Sequence, residues 1–338
     1  MKILVISDAG RPQVNGVVRT YEYLEPELIK MGHMMQIIAP ADFPHTFPMP
    51  GYNEIRLTIA PDRRLVKMIK DAKADAHHIA TEGPLGKAAR KYFLRQGIPF
   101  STAYHTHFPH YIALRAPKIA APLLQHLTMR YMRDFHAPSK AMMVATASLE
   151  DDLKNWNFTA PTHRLTRGVD FDRFPPDTKT LFNDLKRPIA LYVGRVAVEK
   201  NLEAFLQMDW HGSKVIVGDG PSLESLKAKY PNAVFTGTKT GDDLAAHYRS
   251  ADVFVFPSKT DTFGMVLVEA MASGLPIAAY NVTGPKDIIT HRDLGCLHED
   301  LATAAREALQ YGSADERHTH ARLHYSWTIP AQQFLAGA

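Results

Sequence analysis

The chain has 338 residues, of which 45% are hydrophobic and 22% are charged. This composition is ordinary for a globular protein and excludes disordered and collagen-like classes, while the length predicts two domains. No apolar run reaches the roughly 18 residues that cross a bilayer, and the apolar stretch 1–7 is too short for a secretory signal. We therefore expect a cytoplasmic protein. The single cysteine, Cys296, excludes internal disulfides and a cysteine-rich zinc site.

The net charge of +4 hides a difference between the two halves of the chain. Residues 1–170 carry 22 Lys and Arg against 15 Asp and Glu, a net charge of +7. Residues 171–338 carry 17 against 20, a net charge of −3. The window from Arg56 to Lys140 alone holds 15 basic and 5 acidic residues. Because such a positive field attracts anions, we expect the first half to bind an anionic surface or ligand.

Short β-rich runs alternate with helical patterns through the first half. The predicted strands are residues 2–7, 34–40, 76–83, 99–105 and 141–148. The predicted helices are Val17–Met31, Leu65–Ala74, Gly86–Gln96, Pro122–Phe135 and Leu149–Trp156. Ser148, with Asp151 three residues later, predicts a variant capping box at the start of the last helix. This alternation is typical of a parallel sheet covered by helices.

Residues 170–188 interrupt the alternation, because Pro175, Pro176 and Pro188 lack a backbone donor and break both patterns. We interpret this segment as a linker. The alternation resumes with predicted strands at residues 190–196, 214–220, 233–237, 252–258 and 276–280. The sequence therefore predicts an α/β protein with two Rossmann-like parallel-sheet domains. Since ligands bind beyond the carboxyl ends of such strands, we expect a site in a central cleft that both domains face.

Two segments combine glycine or cations with a strand-to-helix turn. Gly16 follows the first strand, where a helix N-terminus offers N–H groups and a positive dipole end to an anion, although a simple tight turn fits it as well. In the second half, Arg195 and Lys200 flank another such turn, and two cations there suit the oxygens of a diphosphate. The alternative for Arg195 and Lys200 is a solvated surface pair.

Asp261 and Glu269 form a third pattern, with seven residues between them. Gly264 lies between the two acids at the start of a predicted helix, where backbone amides suit phosphate and the carboxylates accept from sugar or ribose hydroxyls. Taken singly, Asp261 fits a helix cap and Glu269 fits a buried acid paired within the fold. Their spacing in one segment favours a sugar-nucleotide site.

The chain resembles the retaining glycosyltransferases of family 4, also called group 1, which have the GT-B fold. The resemblance rests on the two acids before an EAMASGLP helix and on segments that cover nearly the whole chain. These are PQVNGVVRT (12–20), HIATEGPLG (78–86), YHTHFPHY (104–111), RGVD (167–170), YVGRVAVEKN (192–201), DVFVFPSKTDTFGMVLVEAMASGLP (252–276) and YSW (325–327). It implies an acceptor-binding domain over residues 1–170 and a nucleotide-sugar domain over 171–324. A C-terminal helix over about 325–338 would pack back on the first domain.

The resemblance also implies a role for each residue that matches the family pattern. Gly16, Arg195 and Lys200 would hold the donor diphosphate, and Glu269 would bind the ribose. His105 would lie near the reacting anomeric carbon, where an imidazole can hydrogen-bond the sugar. The implied contacts to the transferred sugar are Asp261, Phe263, Gly264, Met265 and Val266, and those to the base edge are Gly237, Lys239 and Thr240. The implied catalytic residues are His105, Asp261, Arg195 and Lys200.

One residue departs from the family pattern, and one cluster suggests a different chemistry. Many family members have Glu where this chain has Asp261, whose side chain is one methylene shorter. His105, His107 and His110 suggest a metal cluster, with 105 and 107 on one face of a strand, but no acid or cysteine accompanies them. The resemblance implies stabilisation of the diphosphate by Arg, Lys and helix dipoles, so neither a metal nor another cofactor is expected.

Two further points concern the cofactor and the mechanism. The glycines of GDG (218–220) fall short of a dinucleotide fingerprint, so NAD is not implied. The family retains anomeric configuration, by front-face attack in which the leaving phosphate helps to deprotonate the acceptor. No side chain is an evident covalent nucleophile.

Two basic amphipathic segments, 63–73 and 121–135, suggest where an acceptor binds. Their cations are Arg63, Arg64, Lys67, Lys70, Lys73, Arg130 and Arg133. Such segments can lie on anionic leaflets, although packed helices with solvated basic faces fit each segment equally well. Relatives with HIATEGPLG-like and TDTFG-like segments include enzymes that glycosylate lipids, which favours a lipid acceptor at the inner face of the cytoplasmic membrane.

The sequence thus predicts a hexosyltransferase that uses a nucleotide sugar, UDP-glucose being favoured, and a membrane lipid such as diacylglycerol. One alternative is a GDP-mannose-dependent α-mannosyltransferase acting on a lipid-linked or soluble glycan. Another is a sugar-nucleotide epimerase or hydrolase on the same fold. A nucleic-acid-binding protein would share the basic half, but the sequence has no recognisable RNA- or DNA-binding signature.

Overall fold

The computed structural model describes residues 1–13, 15–49, 52–117 and 119–338, so Val14 of the PQVNGVVRT segment lies outside the described residues. The chain divides into two compact units. Unit 1 comprises Met1–Thr166 and Trp327–Ala338, and unit 2 comprises Arg167–Ser326.

Unit 1 contains a six-stranded parallel sheet and a separate antiparallel hairpin. Its strands are β1 (Lys2–Ile6), β2 (Met34–Ile38), β3 (Thr46–Met49), β4 (Tyr52–Thr58), β5 (Ala76–Ile79), β6 (Ser101–Ala103), β7 (Ala141–Val144) and β8 (Thr162–Arg164). The helices in this part of the chain are α1 (Gly16–Lys30), α2 (Asp62–Ala72), α3 (Pro84–Gln96), α4 (Phe108–Arg115), α5 (Ala121–His136) and α6 (Ala147–Asn155). The parallel order is β2-β1-β5-β6-β7-β8, and β3 pairs with β4.

Local sequence accounts for the central elements of unit 1. In β1, residues Ile3 to Ile6 are all buried, as expected for a strand covered on both faces by helices. In α1, the buried residues Val18, Tyr21, Leu24 and Leu28 recur at helical spacing.

Two sequence expectations are wrong. The cap of α6 is Thr146, whose hydroxyl accepts from the amide of Leu149 at 3.2 Å, because the helix begins before Ser148.

The second wrong expectation concerns the histidines after β6. This strand ends at Ala103, so His105 and His107 are not strand residues that share one face. His107 instead precedes the first turn of α4. The sequence pattern also did not indicate the β3–β4 hairpin, whose two strands pair outside the parallel sheet.

Unit 2 contains a second six-stranded parallel sheet, in the order β11-β10-β9-β12-β13-β14. Its strands are β9 (Ala190–Val193), β10 (Lys214–Val217), β11 (Val234–Gly237), β12 (Val253–Phe256), β13 (Ile277–Ala279) and β14 (Gly295–Leu297). Its helices are α7 (Leu202–Gln207), α8 (Leu223–Lys229), α9 (Gly241–Ser250), α10 (Met265–Ala272), α11 (Pro285–Ile288), α12 (Leu301–Ala308) and α13 (Ala314–His324). The predicted fold class, α/β with two Rossmann-like parallel sheets, is confirmed.

The proline-rich segment and the C-terminal helix each attach to a particular unit. Within residues 170–188, the amides of Thr180 and Leu181 donate to the hydroxyl of Ser250 at 3.1 and 3.0 Å, so this segment packs on unit 2. The last helix, α14 (Thr328–Gly337), lies in unit 1. Its Gln333 side chain accepts from the amide of Thr166 at 2.8 Å. Among the described residues, no helix is both long and apolar enough to cross a membrane.

Candidate functional site

The topology of unit 2 brings two of the sequence motifs to one place. In a doubly wound sheet, ligands bind beyond the carboxyl ends of the strands where the strand order reverses. Here β9 lies between β10 and β12. The chain continues from β9 to β10 and β11 on one side of the sheet and then to β12, β13 and β14 on the other, so the strand order reverses beside β9. Arg195 follows β9 and Asp261 follows β12. The structure therefore brings these two segments to neighbouring strand ends at the switch point.

Close backbone packing holds the loop that carries Arg195. A Cβ on Gly218 would lie 1.9 Å from the carbonyl oxygen of Gly194, so a side chain at position 218 would clash with the backbone of this loop. The amide of Gly194 donates to the carbonyl of Val217 at 3.0 Å, and the hydroxyl of Tyr192 donates to the carbonyl of Arg195 at 2.8 Å. The first glycine of the GDG turn thus serves to position the Arg195 loop.

Lys200 and Asp261 form an ion pair at the same edge of the sheet. The Lys200 Nζ atom lies 2.5 Å from Asp261 Oδ1, and both side chains are largely buried. Lys200 ends a short 3₁₀ turn over Val198–Lys200, and the next residue, Asn201, donates to the carbonyl of Pro257 at 3.1 Å. Asp261 Oδ2 is buried and has no hydrogen-bond partner within the described part of the chain. A buried acceptor of this kind is suited to a hydroxyl donor from a ligand.

Glu269 lies in the helix that follows Asp261. Gly264, with φ of +86°, precedes the first residue of α10, Met265, and this left-handed conformation favours glycine. Glu269 is buried, and its Oε2 accepts from the hydroxyl of Tyr248 at 2.8 Å. This bond uses one of the roughly four acceptor positions of a carboxylate. Tyr248 is a residue that the sequence analysis missed, because it lies on α9, 21 residues earlier in the chain.

The remaining residues of unit 2 that the sequence analysis assigned to the donor occupy two short stretches. Gly237, with φ of +72°, ends β11, and Thr240 precedes α9. Lys239 lies 3.2 Å from Asp243 in a partly exposed ion pair, which screening weakens. Phe263 is buried, with its ring centroid 6.2 Å from that of Tyr325. Met265 and Val266 are half-buried in the first turn of α10.

In unit 1, the start of α1 differs from the sequence expectation. Asn15 caps the helix, and its Oδ1 accepts from the amides of Val17 and Val18, at 3.0 Å each. The helix that begins at Gly16 therefore does not offer these two N–H groups unpaired to an anion, as the sequence analysis expected. The reason is that the residue before Gly16 is one of the best helix caps.

His105 is held by a residue of α1. Its Nε2 lies 3.0 Å from the Tyr21 hydroxyl, which also lies 2.8 Å from Nε2 of His78. His107 and His110 instead contact each other, with ring centroids 4.2 Å apart. Burial and the neighbouring His110 lower the pKa of His107 to about 3. Across residues 1–13, 15–49, 52–117 and 119–338, no three His, Cys, Asp or Glu side chains form a group able to hold a metal ion.

A buried acid follows β1 at the switch point of the first sheet, where β1 lies beside β5. The Asp8 carboxylate accepts from the amides of Leu85 and Gly86 at 2.8 and 3.2 Å, at the start of α3, and from the hydroxyl of Thr81. Despite these bonds, burial raises the pKa of Asp8 to about 6. The sequence analysis missed this group, although an acid directly after a buried strand is a usable signal.

The two basic segments differ in what their apolar residues do. In α2, Leu65, Ile69 and Ala72 pack in the core of unit 1, while the cations face solvent. The exposed cations of this segment are Arg63, Arg64, Lys67, Lys70 and Lys73. This is the packed-helix alternative that the sequence left open. In α5, by contrast, Leu123 and Leu127 are 62% and 50% exposed, and Arg130 on the same helix is exposed.

Two family models match the chain. One, described as glycosyltransferase family 4, matches residues 14–173, and the other, described as glycosyl transferases group 1, matches residues 187–311. The first match falls largely in unit 1, and the second falls within unit 2.

Comparison with known proteins gives the same assignment over nearly the full length. The chain is 28% identical to a GDP-mannose-dependent α-mannosyltransferase of Mycobacterium tuberculosis, over 99% of this chain and 95% of that protein. It is 25% identical to an α-monoglucosyldiacylglycerol synthase of Streptococcus pneumoniae, over 91% of this chain and 78% of that protein. The sucrose-phosphate synthase of Thermosynechococcus elongatus has the same fold, with a TM-score of 0.78 at 21% identity over 99% of this chain and 97% of that one. The chain is therefore a glycosyltransferase of the family 4, group 1 type, with the GT-B fold.

Proposed function

We propose that this glycosyltransferase moves a hexosyl group from a nucleoside diphosphate sugar to a hydroxyl of a membrane lipid, with retention of configuration and without a metal. The observation that carries the donor assignment is the Lys200–Asp261 pair beside the start of α10. It combines a cation, an acid with one buried, unsatisfied oxygen and a glycine-initiated helix at one sheet edge. Diphosphate, sugar hydroxyl and phosphate oxygen are the matching ligand groups.

The proposed chemistry follows from the charges that develop when a sugar–phosphate bond breaks. Negative charge grows on the leaving diphosphate, and Arg195 and Lys200 stabilise it. Asp261 accepts from a hydroxyl of the transferred sugar, and Glu269 accepts from the ribose. The acceptor attacks from the face that the diphosphate leaves, and a diphosphate oxygen takes the acceptor proton. We assign no side chain as base or as covalent nucleophile.

Two donors are candidates. UDP-glucose is the donor that the sequence analysis favoured, and similarity to the α-monoglucosyldiacylglycerol synthase supports a glucosyl donor. GDP-mannose is the second candidate, because the α-mannosyltransferase matches almost the whole chain at 28% identity. The loop at Gly237, Lys239 and Thr240 is the proposed contact to the base and would discriminate between the two nucleotides.

The exposed leucines of α5 support a lipid acceptor. Leu123 and Leu127 are one helical turn apart on the outer face, and Arg130 follows them. A helix that offers apolar side chains beside cations lies in a membrane interface, with the apolar groups among acyl chains and the cations at headgroups. We propose that α5 docks peripherally on the inner face of the cytoplasmic membrane. The cations of α2 add long-range attraction to anionic lipid.

A depression beside α5 supports the same orientation. It measures about 440 Å³, and its lining includes His126, Arg130, Arg133 and Asp134. Arg130 lies 3.9 Å from Asp134, and both side chains are more than 70% exposed, so this ion pair contributes little. Two arginines and one acid leave the depression positively charged. A lipid phosphate is the proposed occupant.

The experiment tests donor and acceptor together. Radiolabelled UDP-glucose and GDP-mannose are each supplied with vesicles that contain diacylglycerol and anionic lipid, with vesicles that lack diacylglycerol, and with soluble glycan. We expect label in the lipid fraction only when diacylglycerol is present. Label in water-soluble sugar alone indicates a hydrolase, and an altered sugar nucleotide indicates an epimerase. Either result, or transfer to the glycan alone, contradicts the lipid proposal.

A pair of variants tests the role of α5. The double change Leu123→Ser and Leu127→Ser removes the exposed leucines, and we expect it to lower vesicle binding and lipid glycosylation about tenfold, because less apolar surface is buried. The matched control is Ile29→Ser with Ile59→Ser, which removes residues that are 60% and 54% exposed elsewhere in unit 1. Equal losses in both double variants would contradict docking through α5.

A further inference from the structure

Four side chains of unit 1 form a continuous hydrogen-bonded chain that ends on His105. The Ser101 hydroxyl lies 2.8 Å from Nδ1 of His78. Nε2 of His78 lies 2.8 Å from the Tyr21 hydroxyl, which lies 3.0 Å from Nε2 of His105. The members come from β6, β5, α1 and the loop after β6, so sequence spacing alone does not indicate the chain.

The inner members of this chain are sealed from water. Ser101 and His78 are fully buried, and Tyr21 is 2% exposed. Phe334 of α14 closes the chain from another side, with its ring centroid 6.0 Å from that of Tyr21 and 5.1 Å from that of His78. Burial and the positive charge of Lys140 lower the pKa of His78 to about 3, so this imidazole is neutral and carries one N–H.

The available protons determine which group donates in each of these hydrogen bonds. Within the described residues, the Ser101 hydroxyl has His78 as its hydrogen-bond partner, and a buried donor without an acceptor costs more than an unused acceptor position. Ser101 therefore donates to Nδ1 of His78. Because neutral His78 then has its proton on Nε2, it donates to the Tyr21 oxygen. The Tyr21 oxygen thus accepts from His78, and Nε2 of His105, 3.0 Å away, is placed to accept the Tyr21 proton.

We propose that Tyr21 is a positioning residue for glycosyl transfer, which donates to Nε2 of His105 and thereby holds this imidazole in one orientation and in the Nδ1–H tautomer. The inference rests on the proposed place of His105 at the transferred sugar. Because Tyr21 is 2% exposed, its proposed role acts through His105 and not through contact with the donor. Its role is to present one form of His105, since the two tautomers of a histidine place donor and acceptor at different ring atoms.

Two variants interrupt the chain at different points. Tyr21→Phe keeps the ring that packs on Phe334 and removes only the hydroxyl. Ser101→Ala leaves Tyr21 intact and removes the donor that sets the direction. The matched control is Tyr23→Phe, two residues along α1, where the half-buried ring stacks on Trp327 and lies outside the chain.

The first measurement is ¹⁵N NMR of imidazole-labelled protein without substrate, with the His105 signals assigned by their loss in His105→Gln. In the wild type and in Tyr23→Phe, we expect Nε2 of His105 to have the shift of an unprotonated, hydrogen-bonded nitrogen. In Tyr21→Phe, we expect both ring nitrogens to move towards values averaged over two tautomers. An Nε2 of His105 that is protonated in the wild type would overturn the proposal.

The second measurement is steady-state kinetics with the donor that supports turnover. We expect Tyr21→Phe to lower kcat about tenfold or more, Ser101→Ala to lower it about threefold, and both to leave the donor KM within about twofold. Unchanged kcat in a folded Tyr21→Phe variant would overturn the positioning role. Because the NMR result needs no substrate, a failure of this inference is distinguishable from the absence of lipid transfer.

Discussion

Lys200 Nζ lies 2.5 Å from Asp261 Oδ1, which joins the cation expected at the diphosphate to the acid expected at the sugar. One oxygen of Asp261 is thus held by a fixed charge, and the other is buried without a protein partner in the described structure. The pair therefore orients Asp261 before a donor binds. A change in either residue is expected to affect both proposed contacts.

The first prediction concerns the two cations. Lys200→Ala and Arg195→Ala should each lower kcat/KM by about 30- to 150-fold, or roughly 2–3 kcal/mol, because each removes a charge that is proposed to stabilise the leaving diphosphate. Steady-state assays measure the effect. The control is Lys229→Ala, which removes an exposed lysine paired with Glu203 and should change little. Wild-type turnover by both folded cation variants would rule out the diphosphate assignment.

The second prediction concerns metal ions. Transfer should survive dialysis against EDTA, because in the proposed mechanism Arg195, Lys200 and the start of α10 supply the charge stabilisation that a divalent ion supplies in other transferases. The assay compares chelated protein with and without added Mg²⁺ or Mn²⁺. Loss of activity that metal restores would contradict the metal-free mechanism.

The third prediction concerns pH and Asp8, whose pKa is raised from 3.8 to about 6 by burial. The folded state then holds this proton more tightly than the unfolded state, so the free energy of unfolding falls as pH rises from about 4 to about 6. A shift of about two units corresponds to roughly 3 kcal/mol. Urea unfolding of the wild type and of Asp8→Asn at pH 4.0 to 7.5 measures it.

We expect the unfolding free energy of the wild type to fall relative to that of Asp8→Asn across this window. The absolute stability of the variant is not the readout, because the amide also loses an acceptor for Leu85, Gly86 or Thr81. A difference between the two proteins that stays constant from pH 4 to 7 would show that Asp8 titrates normally.

The fourth prediction concerns α2. Changing Arg63, Arg64, Lys67 and Lys70 to Ser should lower binding to anionic vesicles in a sedimentation assay, since each cation contributes about 1 kcal/mol near the surface. Binding by the wild type should fall with added salt and be poor with neutral vesicles. Reaction with a soluble acceptor or donor hydrolysis should stay nearly unchanged. As a control, Lys227, Lys229, Arg292 and Arg322 of unit 2 are changed to Ser.

If the α2 variant and the unit 2 control bind anionic vesicles as the wild type does, α2 is an ordinary solvated helix face. The buried apolar side of α2 is already accounted for by the core of unit 1. In the proposed docking, α2 therefore contributes electrostatic attraction and no apolar contact. The α5 leucines provide the independent, short-range part of the proposed docking.

The amino-acid sequence determined the fold class and located the motifs of the candidate site, because these signals are local. Strand and helix periodicity gives the two parallel sheets, and the spacing of Asp261, Gly264 and Glu269 is written within one segment of nine residues. Boundaries were less certain where local preferences compete. Thr146 and Ser148 are both good caps, and only the packed start of α6 selects Thr146.

The tertiary structure decided which distant side chains meet. Tyr248 reaches Glu269 across 21 residues, and Tyr21 reaches His78 and His105 across 57 and 84 residues. A tyrosine in the buried stripe of α1 signals that its hydroxyl needs a partner, but the sequence does not name the partner. The structure likewise distinguishes α2, whose apolar residues pack in the core, from α5, which exposes leucines, although the two helices have similar composition. Whether an apolar side chain is buried depends on the elements packed against it, and those contacts are set by the fold and not by the segment itself.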